Sequence, residues 1–174
     1  RGNKIFIGNK NLLESKSFLD NKKNLFIFKN KFTSDDGKLN FIYNEVKFEI
    51  NETERKINFF GLNEKVIFLN SNIENWTINY LSTPKNSITQ NLNKYNDNFI
   101  TGCLNFFNSN IKNLKIKIEN SNCEDALNII SSKGYISLID ITNTKSDALD
   151  FDFSDIKVQN LNIVNALNDC LDVS

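Results

Sequence analysis

The 174-residue chain has no histidine and no methionine, one proline, one tryptophan and only two arginines, Arg1 and Arg55. The missing histidine removes His-ligated metal sites and Ser-His or Cys-His nucleophile pairs from consideration. Three cysteines, Cys103, Cys123 and Cys170, lack CxxC spacing, so a structural zinc site is not expected. No segment approaches the ~20 apolar residues that a membrane-spanning helix needs. The 21 basic and 21 acidic side chains cancel. That balance argues against a broad surface for nucleic acid or an anionic membrane. The chain opens at Arg1 without a visible secretory leader and stops within a repeat. The expectation is therefore a fragment of a longer protein.

What the chain does have is phenylalanine, 15 of 174 residues, abundant asparagine, and a short repeat. Asp125, Asp147 and Asp169 are 22 residues apart each time (147−125, 169−147). Leu127, Leu149 and Leu171 keep the same interval, as do Ala126, Ala148 and Cys170. Apolar and acidic positions repeating together at this length predict laps of chain stacked in one dimension. A second alternating segment recurs at Ile116-Lys117-Ile118, Ile139-Asp140-Ile141 and Leu161-Asn162-Ile163. Shorter apolar pieces fall between, at Ile111, Ile136 and Val158. Three short strands per lap give a triangular cross-section. Earlier, Asn70-Ser71-Asn72-Ile73 aligns on Asn108-Ser109-Asn110-Ile111 at an offset of 38 (108−70), one lap plus 16 residues. The surplus is placed in a loop inserted at 81–100, which holds Pro84. Trp76 aligns on Leu114 and is assigned to the core.

Residues 1–62 are β-rich without a clean repeat and are expected to form an N-terminal cap or irregular early coils, with the stack proper over 63–174. Short strands are read at Lys4–Gly8, Leu25–Phe28, Leu39–Tyr43, Val46–Ile50 and Ile57–Phe60, and a helix or loop over Asn11–Lys23. Asp36-Gly37 marks a hairpin turn. Asn51-Glu52-Thr53 and Asn75-Trp76-Thr77 are glycosylation sequons of the kind that chance supplies in so asparagine-rich a chain.

Laps of 22–23 residues with inward aliphatics resemble the right-handed parallel β-helix of the pectin-lyase-like superfamily. Asn120, Asn143 and Asn165, spaced 23 and 22, resemble the asparagine ladder at one of that family's turns. With laps about 4.8 Å apart, a side-chain amide donates to the amide oxygen of the next lap. The resemblance spans about 64–174 and implies an all-β solenoid. It also implies polysaccharide chemistry, but this chain lacks the histidine of the hydrolase branch. No arginine or lysine stands in the acidic columns where the lyase branch would place its base.

Alternation places Leu127, Leu149, Leu171, Phe151 and Phe153 inward and Asp150, Asp152 and Asp172 outward. Cys170 then becomes a small buried thiol. A Cys103–Cys123 disulfide is the alternative use of the other two cysteines and implies an oxidising compartment. Asp125, Asp147 and Asp169 read first as turn carboxylates accepting the N–H groups that follow them, and second as ligands for metal or sugar. Asp150 and Asp172 share a column, where like charges repel. Solvent, a raised pKa or a bridging calcium would relieve them, so calcium is the one cofactor considered. Leu69, Phe107, Ile130, Asp152 and Ser174 form an outward column whose apolar part needs a cover. The 81–100 insert or the N-terminal region is expected to supply it.

The function expected on these grounds is a non-enzymatic β-helix module. It would be secreted or on the cell surface, binding a polysaccharide or another protein chain through Asp150, Asp152 and Asp172, with no nucleic acid and no membrane span. The alternative is a polysaccharide lyase or glycoside hydrolase in which Asp150 and Asp172 act as acid and as nucleophile or base.

Overall fold

The structure is a computed structural model and describes residues 28–82 and 100–174. The strands expected at Lys4–Gly8 and most of Leu25–Phe28, the Asn11–Lys23 segment and all but the ends of the 81–100 insert lie outside them. The described residues contain strands and no helix. Chain order runs β1 (Asn30–Thr33), β2 (Asn40–Tyr43), β3 (Lys47–Asn51), β4 (Lys56–Phe60), β5 (Val66–Leu69), β6 (Asn72–Glu74) and β7 (Thr77–Leu81) before the insert. After it come β8 (Gly102–Phe107), β9 (Asn110–Glu119), β10 (Asp125–Ile130), β11 (Lys133–Thr144), β12 (Asp147–Asp152), β13 (Asp155–Val158), β14 (Leu161–Ala166) and β15 (Asp172–Val173).

These strands wind as a parallel β-helix of about four turns. One face stacks β5, β8, β10, β12 and β15 in parallel. β9 and β11 are long and bend, so each serves the two remaining faces. β6 and β13 pair with their first parts, and β7 and β14 with their second. Leu104, Leu127 and Leu149 are in register, and the pairing of Asp150 with Asp172 sets Leu171 above them. Val66 pairs with Leu104, Ile73 with Ile111 and Ile78 with Ile116, each 38 apart, so the surplus residues do lie between β7 and β8.

The lower end closes with antiparallel strands. β1 and β2 form the Asp36-Gly37 hairpin, with Gly37 at φ 69°, and β2 docks antiparallel on β5. β3 pairs antiparallel with β4. β4 itself already runs parallel to β7, so Lys56–Phe60, in the segment read as a cap or irregular early coils, joins the parallel stack. The phenylalanines fill this end. Phe41 packs against Phe32, Phe48, Phe59 and Phe68, and Phe68 stacks on Phe106 at 4.9 Å. Higher laps change to aliphatics, and Trp76 is buried among them as expected.

The abundant asparagine has a backbone cause. Asn70 and Asn108, Asn75 and Asn113, and Asn120, Asn143 and Asn165 all have φ between 47° and 60°. Asparagine tolerates this left-handed region better than most L-residues. Each sits at a corner, and its side chain bonds the equivalent amide one lap away. Nδ2 to Oδ1 distances are 2.6 Å for Asn108 to Asn70, 2.8 Å for Asn113 to Asn75, 3.1 Å for Asn143 to Asn120 and 2.9 Å for Asn165 to Asn143. Beside the first corner runs a buried serine column. The N–H groups of Ser71, Ser109 and Ser132 donate to the Oγ of Ser109, Ser132 and Ser154 at 3.0–3.2 Å.

Three expectations are corrected. Phe153 takes the corner position of Asn70, Asn108 and Ser131, with φ 49°, and this breaks the alternation. Its ring turns outward and is 64% exposed. Asp152 stays on the outer side of the face but is covered there, at 2% exposure, instead of solvated. Cys170, expected to be buried, is exposed in the last described lap, as is Leu171. Cys103 and Cys123 are bonded to each other. A loop of this length contributes about 3 kcal/mol through the unfolded state.

Gly134 fixes the lap spacing at one point. Its φ is 129°, and a Cβ there would stand 1.8 Å from the carbonyl oxygen of Ile111 in the lap below. Gly134→Ala is expected to cost about 4 kcal/mol or more, in the upper tail for single substitutions. Urea unfolding followed by circular dichroism measures this, and a midpoint equal to wild type would contradict the register.

Candidate functional site

Polar side chains gather on the outer surface of the β5–β8–β10–β12–β15 face. Alternation presents two columns there. One reads Ile67, Asn105, Asn128, Asp150, Asp172, and the other Leu69, Phe107, Ile130, Asp152. Ser174 extends the second column, donating from Oγ to Asp152 Oδ1 at 2.7 Å. The apolar members are covered. Ile67 and Ile130 form a second cluster with Ile100, packed by Ile42, Leu69, Phe107 and Phe28. Ile100 belongs to the insert's described end and Phe28 to the N-terminal region, the two expected sources of a cover.

Beside this cluster Asn128 is the central group. It is 2% exposed, and its Nδ2 faces Thr101 Oγ1 at 2.8 Å, Asp150 Oδ2 at 3.2 Å and Asp152 Oδ2 at 3.5 Å. Asn105, one lap below, closes on the backbone, donating to Val66 O at 3.0 Å and Gly102 O at 2.7 Å. Asp150 and Asp172 are in register, one lap apart, as the repeat predicts. The structure thus brings Asp150, Asp152 and Asp172 onto one face in adjoining laps. Asp152 is buried, Asp150 half-buried and Asp172 exposed, so they do not form a uniform solvated strip.

The first aspartate column also departs from the turn reading. Asp147 Oδ1 accepts from Asn168 Nδ2 at 2.6 Å and from the Asp169 N–H at 3.0 Å, both in the next lap. Asp125 is 4% exposed, and burial pushes its carboxyl up to about 6. Hydrogen bonds from Thr101 and Asn128 oppose the rise, while the charges of Glu124 and Asp147 add to it. Lys65 Nζ donates to the carbonyl of Ile100 at the insert's end. Burial lowers its ammonium to about 8 against the pull of Glu124 and Asp125. Sequence reasoning passed over Lys65 and Thr101, and it placed Asn128 outward beside Leu127 without giving it a role. Only Asp125 carried a signal, through its 22-residue spacing. Among the described residues no three acidic or cysteine side chains are grouped to hold a metal ion.

A second feature lies on the face built by β6, β13 and the first parts of β9 and β11. A groove of about 620 Å³ crosses four laps. Asn72, Asn110, Lys133 and Asp155 form one wall in register. The other wall carries Glu74, Lys112 and Lys157, and the floor is the backbone of Ile73, Ile111 and Gly134. Lys38 closes the lower end, its carbonyl accepting from the Asn72 N–H at 2.8 Å.

Asp125 predicts a pH dependence. Its folded pKa lies above the ordinary 3.8, so its protonated form favours the fold. That contribution is complete below about pH 4 and is lost as pH rises through about 6. Its size is on the order of 2–3 kcal/mol. Asp125→Asn should therefore gain stability relative to wild type between pH 4 and pH 7. Melting curves of both proteins across that range test this, and parallel curves would contradict it.

Searches against protein-family models, curated proteins and solved structures find no match to this chain.

Proposed function

We propose that the chain is a non-enzymatic β-helix module, a secreted or cell-surface scaffold that binds a glycan or protein partner on its outer surface. The observation that supports this most is the use made of the carboxylates. Asp152 accepts from Ser174, Asp147 from Asn168 and Asp169, and Asp150 and Asp152 share the Asn128 amide. All of these bonds join one lap to another, so these acids act as fasteners. The open groove on the other face, lined by charges of both signs and by amides, offers what a binding surface needs. The Cys103–Cys123 disulfide supports an oxidising compartment. Membership of the pectin-lyase-like superfamily goes with this proposal, supported by the lap length and by the amide ladder at Asn120, Asn143 and Asn165.

One observation favours the alternative, a polysaccharide lyase or glycoside hydrolase using Asp150, Asp152 and Asp172. Asp125 holds its proton to about pH 6 and touches the same asparagine as Asp150. A buried acid that holds its proton beside a second carboxyl group is an arrangement that general acid–base chemistry uses. Incubation with pectin, alginate and neutral glucans, with and without calcium, separates the two readings. Binding without new reducing or unsaturated ends is expected. Turnover that Asp150→Asn abolishes would replace the module reading by the enzyme one.

A further inference from the structure

The chain carries two glycosylation sequons, and the fold treats them differently. Asn75-Trp76-Thr77 is built into the stack. Asn75 sits at a corner with φ 58°; its Oδ1 accepts from Asn113 at 2.8 Å and its N–H donates to Lys112 O at 2.9 Å. Trp76 is buried in the core, and the Thr77 N–H donates to Arg55 O at 2.8 Å. Asn51-Glu52-Thr53 instead opens the turn that joins β3 to β4. Arg55, at φ 51°, closes that turn, its N–H donating to Glu52 O at 3.2 Å. Asn51 and Thr53 are both exposed.

The Asn51 amide is held at one end and open at the other. Oδ1 accepts from the Glu54 N–H at 3.0 Å, while Nδ2 donates to nothing among the described residues. Glu52, the residue between, is tied elsewhere: its Oε2 accepts from the Asp35 N–H at 3.0 Å in the β1–β2 hairpin. β3 ends its sheet, so no further described strand borders Asn51 on that side. Replacing one of the two Nδ2 hydrogens leaves the Oδ1 bond intact. The same replacement at Asn75 would load an amide that already fastens two laps. Some oligosaccharide transferases also require an acidic residue two places before the asparagine. Exposed Glu49 supplies it for Asn51, whereas buried Ile73 holds that place for Asn75.

We infer that Asn51 is an acceptor for an N-linked glycan. In the transfer Asn51 Nδ2 forms a bond to C1 of an oligosaccharide carried on a lipid pyrophosphate. The bond from C1 to the pyrophosphate oxygen breaks, the lipid pyrophosphate leaves, and Nδ2 gives up one proton. The exposed Thr53 hydroxyl is the third-position group that completes the sequon. The inference rests on the secreted-module reading, because these donors and transferases face the oxidising compartments in which the Cys103–Cys123 bond also forms. It concerns a sugar attached to the chain and not a ligand of either outer face.

The whole chain, exported with an added leader from eukaryotic cells and into a bacterial periplasm holding a transferase of the acid-requiring kind, tests it. Intact mass gives the total sugar, and peptide mapping after amidase release, which turns a glycosylated asparagine into aspartate, locates it. Asn51 is expected to be occupied, and more fully than Asn75, in at least one host; which host modifies it distinguishes the two donor sources. Thr53→Ala should remove the sugar from Asn51 in either host, and Glu49→Gln only in the periplasm. Both positions are exposed, and circular dichroism confirms that each variant keeps the fold. Exported, disulfide-bonded protein that is bare at Asn51 in both hosts would overturn this inference alone. Equal or greater occupancy of Asn75, or sugar at Asn51 that survives Thr53→Ala, would overturn it as well. A chain retained and reduced in both hosts would defeat the secreted reading and the inference with it.

Discussion

Every lap of this protein is held to the next by groups that are identical, or nearly so, one lap apart. That constraint decides which residue types are allowed. A carboxamide is its own partner: it donates through nitrogen and accepts through oxygen, so a column of asparagines bonds without limit along the stack. The same residue tolerates φ near +55°, which a sharp corner needs. Asn70 and Asn108, Asn75 and Asn113, and Asn120, Asn143 and Asn165 satisfy both demands with a single side chain. Buried serines solve the neighbouring problem. Each accepts the N–H of the serine one lap below while donating to a carbonyl two residues back along its own chain, as Ser109 does to Phe107 and Ser132 to Ile130. The inner columns of leucine, isoleucine and phenylalanine add burial, but burial is indifferent to register by one lap. The polar corners are what fix each lap on its neighbour.

The same constraint accounts for how far the sequence could be read. Columns that repeat a residue type announced themselves. Leu127 and Leu149 were placed in one inward column from their interval and the alternation around them, and the insert's length followed from an offset of 38. Where a column changes type, the pattern failed. Phe153 occupies a corner that asparagine and serine fill below it, and period-2 alternation carried straight through that corner. Asp152 keeps the outward side that alternation gives it, but it is covered there instead of solvated. Cys170 was judged by its column and not by its position in the last described lap, where it is exposed.

The aspartate face was legible in part, for a related reason. Asp150 and Asp172 form a true column, visible as a 22-residue repeat. Asn128, which holds the group together, lies in that same column but differs in type. It faces Asp152, 24 residues away, across the diagonal. Lys65 reaches the site from a loop 60 residues before Asp125, and no local pattern encodes such an approach. Spacing finds side chains that stack, whereas contacts across columns and from connecting loops require coordinates.

One gradient along the stack follows from the chemistry of the column itself. It reads Ile67, Asn105, Asn128, Asp150, Asp172 from lower lap to upper. At the bottom it is apolar and covered. In the middle the amides close on backbone and on Thr101, and at Asp150 the self-complementary type ends, since a carboxylate accepts but cannot donate. Asn128 supplies donors to the first carboxylates above it, and Ser174 supplies one to Asp152. Asp172 is exposed, where water serves as the donor. The face therefore moves from closed packing to hydration over about four laps with no change in backbone path. An acidic patch arises here because the ladder runs out of amides.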